Sequence, residues 1–191
     1  MIRGMPKYRT RSWRAFDPGA AAPALAPISR VRILGLDPGS RRTGFGLIES
    51  QGADSVHIIH GCIQSEGESL AERLRFISEA VAALVAEHRP HEVAIERVFV
   101  NRNADSALKL GQARGAALGA VPLGTPVFEY APRAIKMTVV GYGGAEKQQI
   151  VHMMQTLLKI SGPLPLDPAD ALAVALCHAH SRRLHVLAAG A

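Results

Sequence analysis

The stretch Ile33-Leu34-Gly35-Leu36-Asp37-Pro38-Gly39-Ser40 ends an apolar run on a single carboxylate, just before a Pro-Gly turn that reopens into a second apolar segment. A strand that stops on an acid at a tight turn is where a sheet would present a metal-binding group. Taken alone, Asp37 reads more simply as a turn former whose side chain bonds the next backbone amides. Its weight depends on acids spaced further along the chain.

Around this stretch the periodicity sets out a fold. Val31 to Leu36 reads as a buried strand, Phe45 to Glu49 as a second, and Ser55 to Ile63 as a third, with β-branched Val56, Ile58, Ile59 and Ile63. From Ser69 onward, Leu70, Leu74, Ile77, Val81 and Leu84 recur at helical steps, predicting an amphipathic helix to about His88, ahead of Pro90. Val93-Ala94-Ile95 predicts a short buried strand ending at Glu96. Residues 103–121 predict a helix with Asn103 or Asp105 near its start, and Val127 to Tyr130 a fifth strand. Three further helices are expected: Pro132 to Val140, stopped by Gly141-Tyr142-Gly143-Gly144; Ala145 to Ile160, amphipathic through Ile150, Met153, Met154, Leu157 and Leu158; and Asp167 to Leu187. This order predicts an α/β fold of ribonuclease H-like architecture, a mixed five-stranded sheet with helices on both faces. It forms one domain over residues 31–188 with a short tail at 189–191.

Composition narrows the class. The chain has 191 residues, enough for one domain with a full core, and 48% hydrophobic residues. Of the net charge of +6, the first thirty residues hold +5, through Arg3, Lys7, Arg9, Arg11, Arg14 and Arg30 against Asp17. The body is therefore almost neutral, and any nucleic-acid face must come from local clustering of charge. Residues 1–30 read as a disordered basic leader, with a misassigned start as the alternative. Pro18, Pro23 and Pro27 would interrupt the amphipathic helix of a transit peptide. No run reaches the ~18 apolar residues of a membrane helix, because Pro122 and Pro126 break the longest candidate. Cys62 and Cys177 sit in apolar segments without pairing or metal-ligand spacing, which suits small buried hydrophobes in a reducing, cytoplasmic compartment.

Four acids then stand out. Asp37 and Glu96 end predicted strands, where α/β sheets tend to build their sites. Asp167 and Asp170 are three apart at a helix start, so their carboxylates are expected on one face near the positive end of the macrodipole. For this last pair the plain alternative is N-capping, since Asp167 precedes Pro168. Glu96 lies between Val93-Ala94-Ile95 and Val98-Phe99-Val100 and faces a desolvation cost unless something positive compensates it. Arg97 points to the opposite face of a strand, so a metal ion is the better partner. Grouped carboxylates without a His or Cys cluster favour Mg²⁺ or Mn²⁺ over zinc. A pair of such ions would activate a water and stabilise the leaving oxygen, giving metal-dependent phosphodiester hydrolysis.

At this point the chain resembles the RuvC family of crossover junction endodeoxyribonucleases. The resemblance rests on residues 35–40 with Thr43-Gly44, on Ala94-Ile95-Glu96 with Val98-Phe99, on the block from Asn103-Ala104-Asp105-Ser106 to Ala113-Arg114-Gly115, and on Asp167 with Asp170-Ala171-Leu172-Ala173. It runs from about Val31 to His180. It implies a homodimeric, Mg²⁺-dependent Holliday-junction resolvase with a ribonuclease H-like fold, working beside a branch-migration motor of the RuvA and RuvB type. Asp37, Glu96, Asp167 and Asp170 would be the catalytic acids that hold two Mg²⁺ ions, with Mn²⁺ as a substitute. Some relatives carry His at the position of Asp167, which implies a role nearer to positioning water than to obligatory ligation. Phe99 would stack on a base near the junction point, a contact of ~1–3 kcal/mol, against ordinary burial in the core. Lys136 and Lys147 would neutralise phosphate near the scissile strand. Arg102, Lys109 and Arg114 could extend a basic stripe, although the helix carrying the last two also resembles the family's dimer interface. Asp105 reads as a helix cap, and His178 and His180 as packing or surface groups.

A two-fold dimer would match the symmetry of a four-way junction, which needs two coordinated cuts. Three other readings compete. An RNA-cutting nuclease of the same fold would be indifferent to branching, and the Phe99 segment and the long block after it argue against it. An actin-like ATPase needs two lobes, for which the chain is too short. A catalytically silent junction binder should lack an acid, and all four are present.

Overall fold

The computed structural model describes residues 29–98 and 104–189, so Phe99, Arg102, Asn103 and most of the predicted leader lie outside the described residues. In chain order the elements are β1 (Val31–Asp37), β2 (Arg42–Gln51), β3 (Asp54–Gln64), α1 (Leu70–His88), β4 (Glu92–Glu96), α2 (Ala104–Gly119), β5 (Val127–Tyr130), α3 (Pro132–Val140), α4 (Lys147–Leu157) and α5 (Leu166–Ala189). The five strands pair in the order β3-β2-β1-β4-β5. β1, β2 and β3 form an antiparallel meander, while β4 and β5 continue the sheet in parallel. This is the α/β arrangement of the ribonuclease H-like class.

The local chemistry explains the element ends. Ser69 caps α1 in a capping box with Glu72, and Arg89 closes the helix in a left-handed conformation before Pro90. Gly141, also left-handed, ends α3. β2 starts at Arg42, earlier than the apolar run suggested, and spans Gly44 and Gly46. Those glycines lower strand propensity, but tertiary packing requires them. A Cβ at Gly44 would collide with the Asp167 carbonyl, and one at Gly35 would lie 2.8 Å from the Ala175 backbone nitrogen. α5 therefore lies directly on the strand backbones.

Strand alternation divides the core in two. Leu34, Leu36, Val93 and Ile95 face α1 and α2 with Ile77, Val81 and Ala113. Ile33, Ile48 and Ala94 face the other side with Ile135, Ile150, Met154 and Leu172 from α3, α4 and α5. From Ala169 to Ala179, α5 is buried over every side chain except Asp170. An all-round buried helix must be at the centre of its layer, and this one crosses β1 and β2. The same alternation puts Gly35 and Asp37 of β1, and Glu92, Ala94 and Glu96 of β4, on the α5 side.

Candidate acid-lined active site

The parallel register pairs Leu36 with Ile95, so Asp37 and Glu96 leave adjacent strand ends side by side. They line a cavity of about 280 Å³ with Asp170 of α5, Lys136 of α3 and Lys147 of α4, against an apolar wall of Ile135, Ile150 and Ala173. A second cavity of about 160 Å³ reaches the same two acids from beside α2, past Arg97, Val98 and Leu110.

The electrostatics are those of crowded acids. Burial pushes the Asp37 carboxyl well above the usual range, and the charge of Glu96, a shared hydrogen bond and the charge of Asp170 add to the shift. Lys147 offsets part of it. Burial also raises Glu96, although its hydrogen bond with Asp37 acts the other way. Two acids that retain a proton between them mark a place short of positive charge.

The sequence-predicted residues do not all converge. Asp170 meets Lys147, with Nζ 2.9 Å from Oδ2, at the mouth of the cavity. Asp167, one turn earlier, turns away, and its Oδ2 lies 2.7 Å from Arg42 Nε and 3.8 Å from the Cys62 thiol. The two carboxylates diverge because each partner comes from a different side of α5, Lys147 from α4 and Arg42 from β2. Lys136 lines the cavity, and its Nζ donates to the Ala145 carbonyl at 2.6 Å. Asp105 stands in the first turn of α2 and pairs with Lys109 at 2.6 Å. His178 is a buried packing group, in a polar cluster with Glu92 and Tyr130.

The supporting roles of two residues were not legible in the sequence. Arg114 donates from Nε to the Glu96 carbonyl at 3.2 Å, and its Nη2 lies 2.7 Å from Glu129 Oε1. This holds the end of β4 against α2 and β5. Thr43 Oγ1 closes the turn after Asp37 by donating to the Gly39 carbonyl at 3.1 Å. A Thr placed four residues beyond the Pro-Gly turn's glycine is the only local signal for either.

An oxygen-only donor set with an excess of negative charge fits a hard divalent cation. Among the described residues no three acid, histidine or cysteine side chains close on a single point. The acids instead stand as the Asp37–Glu96 pair and Asp170 beside its lysine.

Comparison with known proteins gives the family. The family model for crossover junction endodeoxyribonuclease RuvC matches residues 33–178. The chain is 53% identical to the crossover junction endodeoxyribonuclease RuvC of Methylococcus capsulatus, over 80% of this chain and 93% of that protein. It is 55% identical to that of Marinobacter nauticus, over 78% of this chain and 85% of that protein. Thermus thermophilus RuvC in complex with a Holliday junction superposes with a TM-score of 0.75 at 32% identity, covering 81% of this chain and 96% of that one. The yeast mitochondrial Holliday junction resolvase shares the fold alone, with a TM-score of 0.60 at 12% identity, over 81% of each chain. With a family model that matches residues 33–178 and relatives 53% and 55% identical over 80% and 78% of its length, the chain belongs to the RuvC family of crossover junction endodeoxyribonucleases.

Proposed function

We propose that this protein is a Holliday-junction resolvase, a structure-specific endonuclease that nicks two opposing strands of four-way junction DNA in homologous recombination and DNA repair. The observation that carries the reading is the cavity that Asp37, Glu96 and Asp170 line together with Lys136 and Lys147.

Asp37, Glu96 and Asp170 would hold the metal, two ions per subunit with Asp167 as the outlying fourth acid. Bound Mg²⁺ or Mn²⁺ supplies the Lewis acidity that activates water and stabilises the leaving oxygen of the phosphodiester. The protein's own groups prepare that chemistry. With metal bound, Asp37 and Glu96 would both stand ionised at adjacent strand ends. Lys147, already bonded to Asp170, places its ammonium at the cavity mouth, where it can hold a backbone phosphate. Lys136 adds a second cation to the wall, fixed by the Ala145 carbonyl. Ile135, Ile150 and Ala173 keep one wall dry, which strengthens each charge interaction. Phe99, beyond the described residues, would stack on an unpaired base.

Each site cuts one strand, so a homodimer supplies the paired, symmetric nicks. Leu108, 62% exposed on α2, suits a helix that packs against a second copy. The protein would act in the cytoplasm with a branch-migration motor of the RuvA and RuvB type. No helix among the described residues is long and apolar enough to cross a membrane.

The test is cleavage of a synthetic four-way junction with Mg²⁺, with linear duplex and an RNA/DNA hybrid as controls. Wild type should cut the junction alone, while Asp37→Asn and Glu96→Gln should bind it and fail to cut. Cutting by either variant at the wild-type rate would remove the acids from the mechanism. Equal cutting of the hybrid would favour the RNA-directed reading.

A further inference from the structure

We infer that Arg42 is a positioning residue that withholds Asp167 from the acid cavity, and thereby lowers the affinity of the site for divalent cation. The inference rests on the metal-dependent reading above and concerns how this chain's fourth acid is controlled.

Three observations carry it. Asp167 does not line the cavity that collects Asp37, Glu96 and Asp170, although it lies one turn from Asp170 on the same helix. Its Oδ2 is engaged by Arg42 Nε at 2.7 Å, with the Cys62 thiol 3.8 Å from the same oxygen. Both donors come from β2 and β3. The backbone beneath is fixed, because Gly44 lies against the Asp167 carbonyl so closely that no Cβ could be fitted. α5 cannot roll to satisfy both demands, so only the Asp167 side chain can move between them.

A guanidinium and a divalent cation compete for the same carboxylate lone pairs. Ligation by Asp167 therefore requires breaking the Arg42 pair. That pair is solvent-accessible, with 57% of the Arg42 side chain and 25% of the Asp167 side chain exposed. Exposed pairs are worth a few-fold in an equilibrium, so the clamp is strong enough to set affinity and weak enough to open.

The experiment is a Mn²⁺ titration of the whole, DNA-free protein, following the free-ion electron paramagnetic resonance signal. Arg42→Ala should bind Mn²⁺ about two- to fivefold tighter than wild type. Arg42→Lys, which keeps a cation able to reach Asp167, should stay close to wild type. In an Asp167→Asn background, Arg42→Ala should change affinity by less than about 1.5-fold, because nothing is left to release. If the gain persists in that background, Arg42 acts only as a general positive charge and the inference fails. It fails equally if Arg42→Ala binds Mn²⁺ no better than wild type. Circular dichroism spectra matching wild type establish that each variant is folded before titration. If neither wild type nor any variant binds Mn²⁺, the metal-dependent reading itself falls, an outcome distinct from wild-type binding without coupling.

Discussion

Removing the Glu92 carboxylate should cost this protein much of its stability, even though Glu92 lies at the opposite end of β4 from the acid cavity. Glu92 is only 2% exposed. Its Oε2 lies 2.7 Å from His178 Nε2, and Arg182 Nε lies 3.0 Å from each of its oxygens. His178 Nδ1 lies 2.7 Å from the Tyr130 hydroxyl, and Phe128 stacks on the ring at 4.3 Å between centroids. His178 Nε2–H donates to the Glu92 carboxylate, and Nδ1 is left to the Tyr130 hydroxyl. The cluster fastens α5 to β4 and β5. Glu92→Ala would take from His178 Nε2 and Arg182 Nε the carboxylate that both bond in the core, a loss of about 3–5 kcal/mol. Against a typical total of about 5–15 kcal/mol, that is a large share, and it should lower Tm by roughly 6–20 °C.

The cluster also sets an acid limit. Burial by itself would raise the Glu92 carboxyl, but hydrogen bonds from His178 and Arg182 outweigh it, and the net shift is downward from 4.5. A depressed carboxylate contributes stability that is full above its unfolded value and is lost as pH falls through the folded one. Wild type should therefore lose stability below about pH 4.5, and Glu92→Gln should lose less over the same range. Urea denaturation of wild type, Glu92→Ala and Glu92→Gln at pH 7 and at pH 3.5 to 4.5 measures both effects. If Glu92→Ala costs under about 1 kcal/mol at pH 7, the buried charges have other partners and the reasoning is wrong.

The acid cavity makes the opposite prediction for stability. A carboxyl raised by burial and like charge destabilises the fold increasingly as pH rises above its unfolded value, so Asp37→Asn should raise the metal-free Tm at pH 8 more than at pH 5. Added Mg²⁺ should stabilise wild type but not this variant, as read by thermal scans with and without the ion. Lys147→Ala removes the cation that holds the Asp37 carboxyl down, so the acid limb of junction cutting should move to higher pH, checked by a rate–pH profile. Gly35→Ala would press a methyl 2.9 Å from the Ala175 Cβ and against the α5 backbone, costing about 1–3 kcal/mol or more by denaturant titration.

The chain's own periodicity determined the element types, because periods of two and near 3.6 are written in local spacing. It likewise placed Asp37 and Glu96 at strand ends, and the start of α1 at Ser69. Their relation is nearly as local, since parallel pairing of two strands that both end on an acid brings those acids together. What spacing along α5 could not settle was the direction of its acids. Asp167 and Asp170 share a helix turn, yet one is drawn to Arg42 and the other to Lys147, residues remote in sequence. The same holds for Glu92 and His178, whose burial is tolerable only because Arg182 and Tyr130 arrive from other elements. A side chain's partner depends on which surfaces pack together, and here that follows from the glycines of β1 and β2 that let α5 settle onto the sheet. Asp37 could be read in one dimension, but the three-acid cavity and the fourth acid held outside it required the packed helix.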